Sequence, residues 1–278
     1  MSSPRRDLPA LDGILRSVLL PDQVAIVTGA GRGLGRAVAL ALAEHGASVV
    51  LASRNAPELD EVVKEIRRSG GHALAQTADV ADERQVRELV LAAERWVGPA
   101  TIVVNNAGTV EPIGPLARSD TVAWLHGLAI NVGGSYLVSR AALPGMLERG
   151  YGRIVNVSSA AAKRPRAGWT AYGAAKAAIE QLTRNLGLEL EGTGVAVCAF
   201  DPGAMDTAMQ GRLRRAAPED LPTVRQFVTQ HAEGRLRDPR EPALAITYLV
   251  SPAASPNGSV HAMGDEDLQR AVAAALGT

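Results

Sequence analysis

The stretch that decides the fold is QVAIVTGAGRGLGRAVALALAEHG, residues 23 to 46. It opens with a short β-branched run, continues through glycines at Gly29, Gly31, Gly33 and Gly35, and ends in a helical pattern rich in alanine and leucine. Short β-branched runs predict strands, and longer periodic segments predict helices. The stretch therefore predicts a strand, a tight turn and a helix, which is the first half of a βαβ unit.

The same alternation continues along the chain. Six further apolar runs predict strands: SVVLAS (48–53), HALAQTADV (72–80), TIVVNNAG (101–108), GRIVNVSS (152–159), GVAVCAF (194–200) and NGSVHAM (257–263). Helical patterns cover about 34–44, 57–68, 82–96, 119–147, 172–190 and 242–249. The strands are almost uniformly apolar, as expected when helices cover both faces of a parallel sheet. We predict an α/β fold, a doubly wound parallel sheet of about seven strands with helices on both faces, in a single domain over 22–278 after an N-terminal extension over 1–21.

One segment, residues 204–241, departs from the compact alternation. In doubly wound sheets ligands bind beyond the carboxyl ends of the strands, and this segment follows such an end. A long insertion there is typical of a substrate loop or lid. The alternative explanation for its many arginines is a solvated helix surface.

Composition narrows the function classes. The 29 Lys and Arg balance 29 Asp and Glu, so the charge offers no attraction for nucleic acid or an anionic membrane, and small-molecule partners are expected. The single Cys198 lies in an apolar run and cannot form an internal disulfide, and no targeting or membrane-spanning segment is recognised, so we expect a cytoplasmic protein. The five histidines lack ligand spacing, and we expect no metal site.

The glycine turn has the chemistry of a phosphate-binding loop. Glycines let backbone N–H groups approach a phosphate, and the following helix supplies a partial positive charge. The spacing is T-G-x-x-x-G-x-G over residues 28–35. It differs from the general dinucleotide-binding pattern G-x-G-x-x-G, but its glycines can bind a phosphate in the same way. A purely structural turn is the alternative.

The residues after the second strand bear on the choice of dinucleotide. A cofactor without a 2′-phosphate is usually held there by an acidic residue, but this chain has Ser53 and Arg54. A guanidinium binds a phosphate through forked, charge-assisted hydrogen bonds, and Arg32 in the glycine turn approaches from the other side. We therefore predict NADP(H) over NAD(H), with NAD(H) as the alternative.

Tyr172 and Lys176 are spaced four residues apart in a helical pattern, so their side chains share one face. Reduction of a carbonyl needs a proton donor, and a nearby ammonium favours the phenolate form of a tyrosine, which predicts a lowered pKa for Tyr172. The chain has only three lysines, Lys64, Lys163 and Lys176, and a compact ammonium suits proton relay better than a guanidinium does. The alternative is a solvated lysine beside a packing tyrosine.

Together these motifs resemble the single-domain branch of the short-chain dehydrogenase/reductases over about residues 22–250. The motifs that carry the resemblance are, in chain order, T-G-x-x-x-G-x-G at 28–35, Asp79-Val80, NNAG at 105–108, Asn131 in AINVGGSY, Ser159, the Y-x-x-x-K of Tyr172 and Lys176, and DPGAMDT at 201–207. The resemblance implies a Rossmann-like oxidoreductase that interconverts alcohols and carbonyls by hydride transfer. It also implies a homodimer or homotetramer formed through the helices after strands four and five.

The resemblance further implies roles for individual residues. The expected cofactor contacts at the glycine turn and after the second strand are Thr28, Gly29, Gly31, Arg32, Gly33, Leu34, Gly35, Ser53 and Arg54. Asp79 and Val80 are expected beside the adenine, and Asn106, Ala107 and Gly108 in the cofactor channel. Tyr172 and Lys176 are also expected to contact the cofactor, and the residues expected at the nicotinamide are Pro202, Gly203, Ala204, Met205 and Thr207. Ser159 is expected to polarise the substrate oxygen, a choice over Ser158 that the residues alone leave open. Asn131 is expected to bind a water that connects Lys176 to solvent and returns the proton. The alternative is that its side chain hydrogen-bonds a nearby backbone group at a kink in the helix.

The substrate pocket is expected to include Trp169, residues 109–114 and parts of 204–241. Lys163, Arg164 and Arg166 allow an acidic substrate, although solvated loop charges are the ordinary explanation. Competing functions on the same fold are a non-catalytic dinucleotide-binding regulator and a lyase or epimerase with transient hydride transfer. Two departures from the family pattern are Ala162 above the active site and a C-terminal tail without tandem glycines that closes in a short helical pattern.

Overall fold

The computed structural model describes residues 18–254 and 256–276, so residues 1–17 of the expected N-terminal extension lie outside the described residues. Within the described residues a seven-stranded parallel sheet runs in the order β3-β2-β1-β4-β5-β6-β7. The strands are β1 Val24–Thr28, β2 Ser48–Ser53, β3 His72–Thr77, β4 Ile102–Asn105, β5 Gly152–Val157, β6 Val195–Asp201 and β7 Ser259–Ala262. The order reverses between β1 and β4, which creates the crevice where such sheets bind ligands.

Helices cover both faces of the sheet. They are α1 Gly33–Glu44, α2 Ala56–Arg68, α3 Glu83–Trp96, α4 Thr121–Leu128, α5 Gly134–Arg149, α6 Thr170–Glu189, α7 Ala208–Arg214, α8 Val224–Ala232, α9 Arg240–Val250 and α10 Glu266–Leu276. One apolar core joins the sheet to α1, α2 and α9, and a second joins it to α3, α5 and α6. The prediction of a doubly wound parallel sheet of seven strands is confirmed. Across the described residues, no helix combines the length and apolar character needed to span a bilayer.

Polar side chains determine where several helices begin. The N-cap Asn55 accepts a hydrogen bond from the backbone N–H of Glu58, and Asp120 accepts one from that of Ala123. Such caps satisfy N–H groups that have no partner within the helix. The N-cap of α1 is Arg32, and it makes no side-chain cap. The N-terminus of α1 therefore keeps backbone donors directed at the glycine turn.

The helix predicted over about 119–147 is present over 121–149, and it contains a π-helical turn that the helical pattern does not predict. A π-helical turn over Ala129–Gly133 separates α4 from α5. The Asn131 side chain donates to the Gly127 carbonyl and also bonds to Thr109 outside the helix. The bond to Thr109 joins two segments that are distant in sequence, so sequence periodicity does not reveal it. Single π turns of this kind occur often at functional sites.

The segment 204–241 contains two short helices, α7 and α8, rather than an extended loop. They contact each other and contribute to a third apolar cluster, separate from the two cores of the sheet. After β7 the chain closes in α10, as the helical pattern of the tail predicts. The third cluster lies against Tyr172 and so forms part of the site described below.

Candidate active site

The glycine turn between β1 and α1 has room only for glycine at its critical positions. Gly29 and Gly33 have φ values of +65° and +55°, a region that other residues rarely adopt. A Cβ atom on Gly35 would lie 2.2 Å from the Gly29 carbonyl oxygen. Close backbone approach and the uncapped start of α1 form a cradle that fits the pyrophosphate of a dinucleotide.

The NNAG motif fastens this turn to the end of β4. The Asn106 amide donates to the carbonyls of Thr28 and Gly29 at 2.8 and 3.2 Å. The Thr28 hydroxyl accepts from the backbone N–H groups of Asn106 and Ala107, each at 3.0 Å. Asn106 and Thr28 therefore position the turn, a structural role that the sequence motif does not distinguish from a cofactor contact.

The segment after β6 borders the same groove. The Asp201 carboxylate accepts a hydrogen bond from the Gly203 N–H at 3.0 Å, and the Ala204 carbonyl accepts one from Arg237 at 3.0 Å. Thr207 begins α7, and its methyl carbon lies 3.3 Å from the position of a Cβ on Gly33. The expected nicotinamide-side residues and the expected phosphate-side residues thus face each other across one groove.

The two arginines expected near the adenosine ribose are exposed, and each lies beside a carboxylate. Arg32 Nη1 lies 3.5 Å from Glu58 Oε1, and Arg54 Nη1 lies 3.8 Å from Asp79 Oδ2. Ser53 accepts a hydrogen bond from the backbone N–H of Asn55 at 3.2 Å. Both charge signs are therefore present at the outer end of the groove.

Two expected cofactor residues pack their side chains into the fold. Leu34 is 5% exposed and belongs to the apolar core that contains α1. Val80 is 7% exposed and fills the space that a Cβ on Gly134 would occupy, at 2.6 Å. These side chains support the groove, and only their backbone atoms remain for direct cofactor contact.

Tyr172 and Ser159 come together at the carboxyl edge of the sheet. Tyr172 is 7% exposed, and the Ser159 hydroxyl lies near its phenol and lowers its pKa. The Ser159 oxygen also accepts a hydrogen bond from the Ala161 N–H at 3.2 Å. Ser158 instead donates to a Glu180 carboxylate oxygen at 3.1 Å and is buried away from Tyr172. Of the two serines, which the residues alone do not distinguish, Ser159 is the one that lies beside Tyr172.

Lys176 is buried beneath Tyr172 rather than solvated. Its ammonium donates to the Val157 carbonyl at 2.7 Å and lies 5.6 Å from the centroid of the Tyr172 ring. Burial lowers the pKa of Lys176 to about 8, while the nearby Asp201 carboxylate opposes that change. The alternative of a solvated lysine on a helix surface is therefore wrong.

The pKa of Tyr172 moves in the direction opposite to the prediction. Burial raises it to about 12, the hydrogen bond with Ser159 lowers it, and the Asp201 carboxylate raises it further. Removal of water from around the phenolate outweighs the favourable contacts that the chain supplies. The chain alone thus holds Tyr172 as a neutral phenol, which is the form that donates a proton.

Asn131 joins the π turn to the loop after β4. Its Nδ2 donates to the carbonyls of Thr109 and Gly127 at 2.8 and 2.9 Å, and its Oδ1 accepts from the Thr109 N–H at 3.2 Å. The side chain is 2% exposed. The predicted alternative, in which Asn131 satisfies a local backbone group at a kink, is present through Gly127.

An apolar wall, here called the lid cluster, covers Tyr172. Trp169 meets the Tyr172 ring edge-on at 5.3 Å between centroids and lies 5.6 Å from the Phe227 ring. The lid cluster consists of Val110, Ala161, Trp169, Tyr172, Leu213, Leu221, Val224 and Phe227, with Ile113, Met209 and Ala216 packed against it. The expected pocket residues therefore meet at the phenol, and the segment 204–241 supplies four of the eight members of the lid cluster.

A cavity of about 310 Å³ lies beside the lid cluster. It is lined by Glu111, Ile113, Arg212, Arg215, Ala216, Ala217 and Asp220. Ile113 and Ala216 belong to both the cavity and the packing around the lid cluster. The cavity thus adjoins the outer side of the apolar wall between α7 and the loop after β4.

Two of the three basic residues between Ser159 and Tyr172 have side-chain partners within the protein. Lys163 Nζ lies 4.0 Å from the Glu180 carboxylate. Arg166 donates to Gln226 at 3.0 Å, and its guanidinium carbon lies 5.5 Å from the centroid of the Trp169 ring. Arg166 therefore joins this loop to α8.

Comparisons with known proteins agree with this geometry. A family model described as short chain dehydrogenase matches residues 23–218. An uncharacterised oxidoreductase of Mycobacterium tuberculosis is 40% identical over 243 residues, which is 87% of this chain and 90% of that protein. The cis-4-hydroxycyclohexanecarboxylate dehydrogenase of Sinomonas cyclohexanicum is 38% identical over 84% of this chain and 91% of its own length.

Solved structures give the same fold. A short-chain type dehydrogenase/reductase from Mycobacterium ulcerans superposes with a TM-score of 0.79 at 30% identity, covering 88% of this chain and 89% of the other. A variant of actinorhodin polyketide ketoreductase, solved with NADPH, superposes with a TM-score of 0.79 at 32% identity, covering 87% of this chain and 95% of the other.

Proposed function

Because the chain belongs to the short-chain dehydrogenase/reductase family and is an oxidoreductase of that family, we propose that it interconverts a small ketone or aldehyde and its alcohol with NADP(H). The observation that carries this proposal is the cluster of Tyr172, Ser159 and Lys176 beside the glycine turn. A donor, a hydrogen-bonding hydroxyl and a buried cation at one point suit proton transfer to a developing alkoxide.

Tyr172 is the proposed general acid in reduction and the general base in oxidation. When bound, the nicotinamide cofactor supplies or accepts the hydride and, in its oxidised form, adds positive charge to the pocket. Tyr172 holds its proton in the closed apolar site, and Ser159 holds the substrate oxygen against the phenol by a hydrogen bond. The lid cluster excludes water, which strengthens both interactions.

Lys176 stabilises the phenolate when the proton leaves Tyr172. Its ammonium would also donate a hydrogen bond to the nicotinamide ribose when the cofactor is bound. Its buried position 5.6 Å from the Tyr172 ring supports the first role. Asn131 holds the π turn in place and supports a water that returns the proton to Lys176 from solvent. The three hydrogen bonds of the Asn131 side chain support the positioning part of that role.

Arg32 and Arg54 are the proposed readers of a 2′-phosphate. Their exposure at the outer end of the groove supports this preference, as does a similar ketoreductase that was solved with NADPH. NAD(H) is the second candidate, because Glu58 and Asp79 lie beside the two guanidiniums and carboxylates accept hydrogen bonds from a ribose diol.

The substrate class is inferred from the wall and from one relative. The lid cluster favours an apolar body near Tyr172, and the relative from Sinomonas cyclohexanicum is named for a hydroxylated cyclohexane acid. Residues 204–241 act as the lid, with α7 and α8 packed on the pocket. We propose cyclic or branched aliphatic ketones as the first compounds to assay.

Assembly as a homodimer or homotetramer is part of the proposal. Val122 and Leu125 on α4 are 76% and 56% exposed, and Leu188 on α6 is 68% exposed, so apolar side chains face outward on the helices expected at the subunit contacts. Mass photometry of the purified protein tests this assembly. A cytoplasmic location is likewise proposed, from the lone buried thiol of Cys198.

The decisive experiment is a panel of ketones and aldehydes assayed by the absorbance of NADPH and, in parallel, of NADH. Net consumption with at least one carbonyl compound is expected, and Tyr172→Phe is expected to lose turnover by at least about 100-fold while it still binds the cofactor. Binding without turnover by the wild type would favour the non-catalytic regulator. Near-normal turnover by Tyr172→Phe would remove this residue from the acid role.

A further inference from the structure

The indole N–H of Trp169 is a buried donor without an acceptor. Trp169 is 8% exposed, and its Nε1 has no hydrogen-bond partner among the described residues. Buried tryptophan N–H groups normally find a partner, and each exception calls for an explanation. Trp124, by contrast, donates its Nε1 proton to the Thr170 hydroxyl at 3.2 Å.

The surroundings of Trp169 explain why the protein offers no acceptor. Its ring contacts are the Tyr172 ring, the Phe227 ring and the guanidinium of Arg166, which is a donor only. The rest of the lid cluster is aliphatic. A buried water needs two or more polar partners, and the aliphatic side chains of the cluster supply none.

We propose that Trp169 Nε1 is a substrate-binding donor, and that the physiological substrate carries a second acceptor oxygen on an otherwise apolar body. This inference rests on the proposed carbonyl reduction at Tyr172. The Trp169 and Tyr172 rings are in edge contact, with their centroids 5.3 Å apart, so the indole and the phenol lie within the length of one small molecule. A keto acid, keto ester or hydroxyketone has this pattern, whereas a plain aliphatic ketone leaves the indole N–H unsatisfied.

Residues 204–241 control access of a substrate to this donor. Leu213, Leu221 and Phe227 from 204–241 enclose Trp169 in the closed arrangement, and the cavity of about 310 Å³ adjoins the same wall. A substrate that enters beside α7 displaces apolar contacts and offers the acceptor that the closed wall lacks. Trp169 thereby favours bifunctional carbonyl compounds over simple ones at the binding step.

The test uses matched ketones that differ only in the second acceptor. The probes are methyl 4-oxocyclohexanecarboxylate, paired with 4-sec-butylcyclohexanone, and its free acid, paired with 4-isopropylcyclohexanone, together with an open-chain set built in the same way. For the wild type we expect kcat/KM to favour an acceptor-bearing ketone by about tenfold or more, the effect of one hydrogen bond. In Trp169→Phe this ratio is expected to fall toward one, whatever the absolute rates. The ester and the acid separate a neutral acceptor from an anionic one.

Trp124→Phe is the matched control, because it removes an indole N–H that already has a partner, and it should keep the wild-type ratio. If Trp169→Phe does not fold, benzothienylalanine at position 169 removes the N–H and keeps the ring shape. A wild-type ratio near one, or a ratio that survives either change at position 169, overturns the inference alone. Failure to reduce any ketone overturns the proposed function and the inference with it.

Discussion

Replacement of Lys176 by methionine is expected to change how stability depends on pH. The Lys176 side chain is 5% exposed, and burial lowers its pKa from 10.5 to about 8. Methionine keeps a similar length and removes the charge. The substitution thus isolates the cost of keeping an ammonium beneath Tyr172.

The magnitude follows from the two pKa values. Between pH 8 and 10.5 the unfolded chain keeps the lysine proton while the folded chain has lost it, so the free energy of unfolding rises with pH. The folded-state pKa is the lower one, so this stabilisation is complete above the unfolded value and is lost as pH falls through about 8. The difference corresponds to about 3 kcal/mol for this fully buried group.

The assay is urea unfolding of the wild type and of Lys176→Met at several pH values from 7 to 10. The free energy of unfolding of the variant is subtracted from that of the wild type, and this difference is expected to rise with pH. Burial also raises the pKa values of Tyr172 and Cys198, to about 12 in each case, but both groups are present in both proteins. Their contributions therefore largely cancel in the difference.

The matched control is Lys64→Met. Lys64 is an exposed lysine whose pKa is raised by its hydrogen bond with Glu61, so no stabilisation should develop between pH 8 and 10. For Lys176→Met, a difference that stays flat or falls over this range would refute the reasoning. It would mean that the ammonium is solvated or fully compensated in the folded protein.

Three further predictions concern the cofactor groove and the π turn. Arg54→Asp should raise the KM for NADPH by at least about tenfold and lower that for NADH, and KM values that move together would exclude Arg54 as the phosphate reader. Gly35→Ala places a Cβ 2.2 Å from the Gly29 carbonyl oxygen, so calorimetry should detect no cofactor binding, and wild-type affinity would contradict the cradle. Asn131→Ala removes three hydrogen bonds to Thr109 and Gly127, so the free energy of unfolding should fall by about 2–4 kcal/mol. A change below about 0.5 kcal/mol would contradict the positioning role of Asn131.

The features that the sequence alone predicts depend on patterns among residues that are close together along the chain. Apolar runs separated by helical periods specify strands and helices, and the handedness of βαβ crossovers then leaves few ways to arrange them. The glycine turn is also local, because the φ values of Gly29 and Gly33 exclude most other residues. The i,i+4 spacing of Tyr172 and Lys176 places both on one face of α6 without further information.

Other features depend on contacts between distant segments. Asn131, inside the π turn, bonds to Thr109, which is 22 residues away along the chain. Ser158 and Ser159 are adjacent in sequence and both follow β5, yet Ser158 donates to the Glu180 carboxylate while Ser159 lies beside Tyr172.

By itself, then, the sequence determined the doubly wound sheet, the phosphate cradle and the pairing of Tyr172 with Lys176, since each follows from backbone geometry over a few residues. The tertiary structure alone decided how much water reaches these groups. Burial within the lid cluster raises the pKa of Tyr172, burial lowers that of Lys176, and the same cluster leaves the Trp169 N–H without an acceptor. Desolvation is a property of the whole packed site, and no local pattern of residues encodes it.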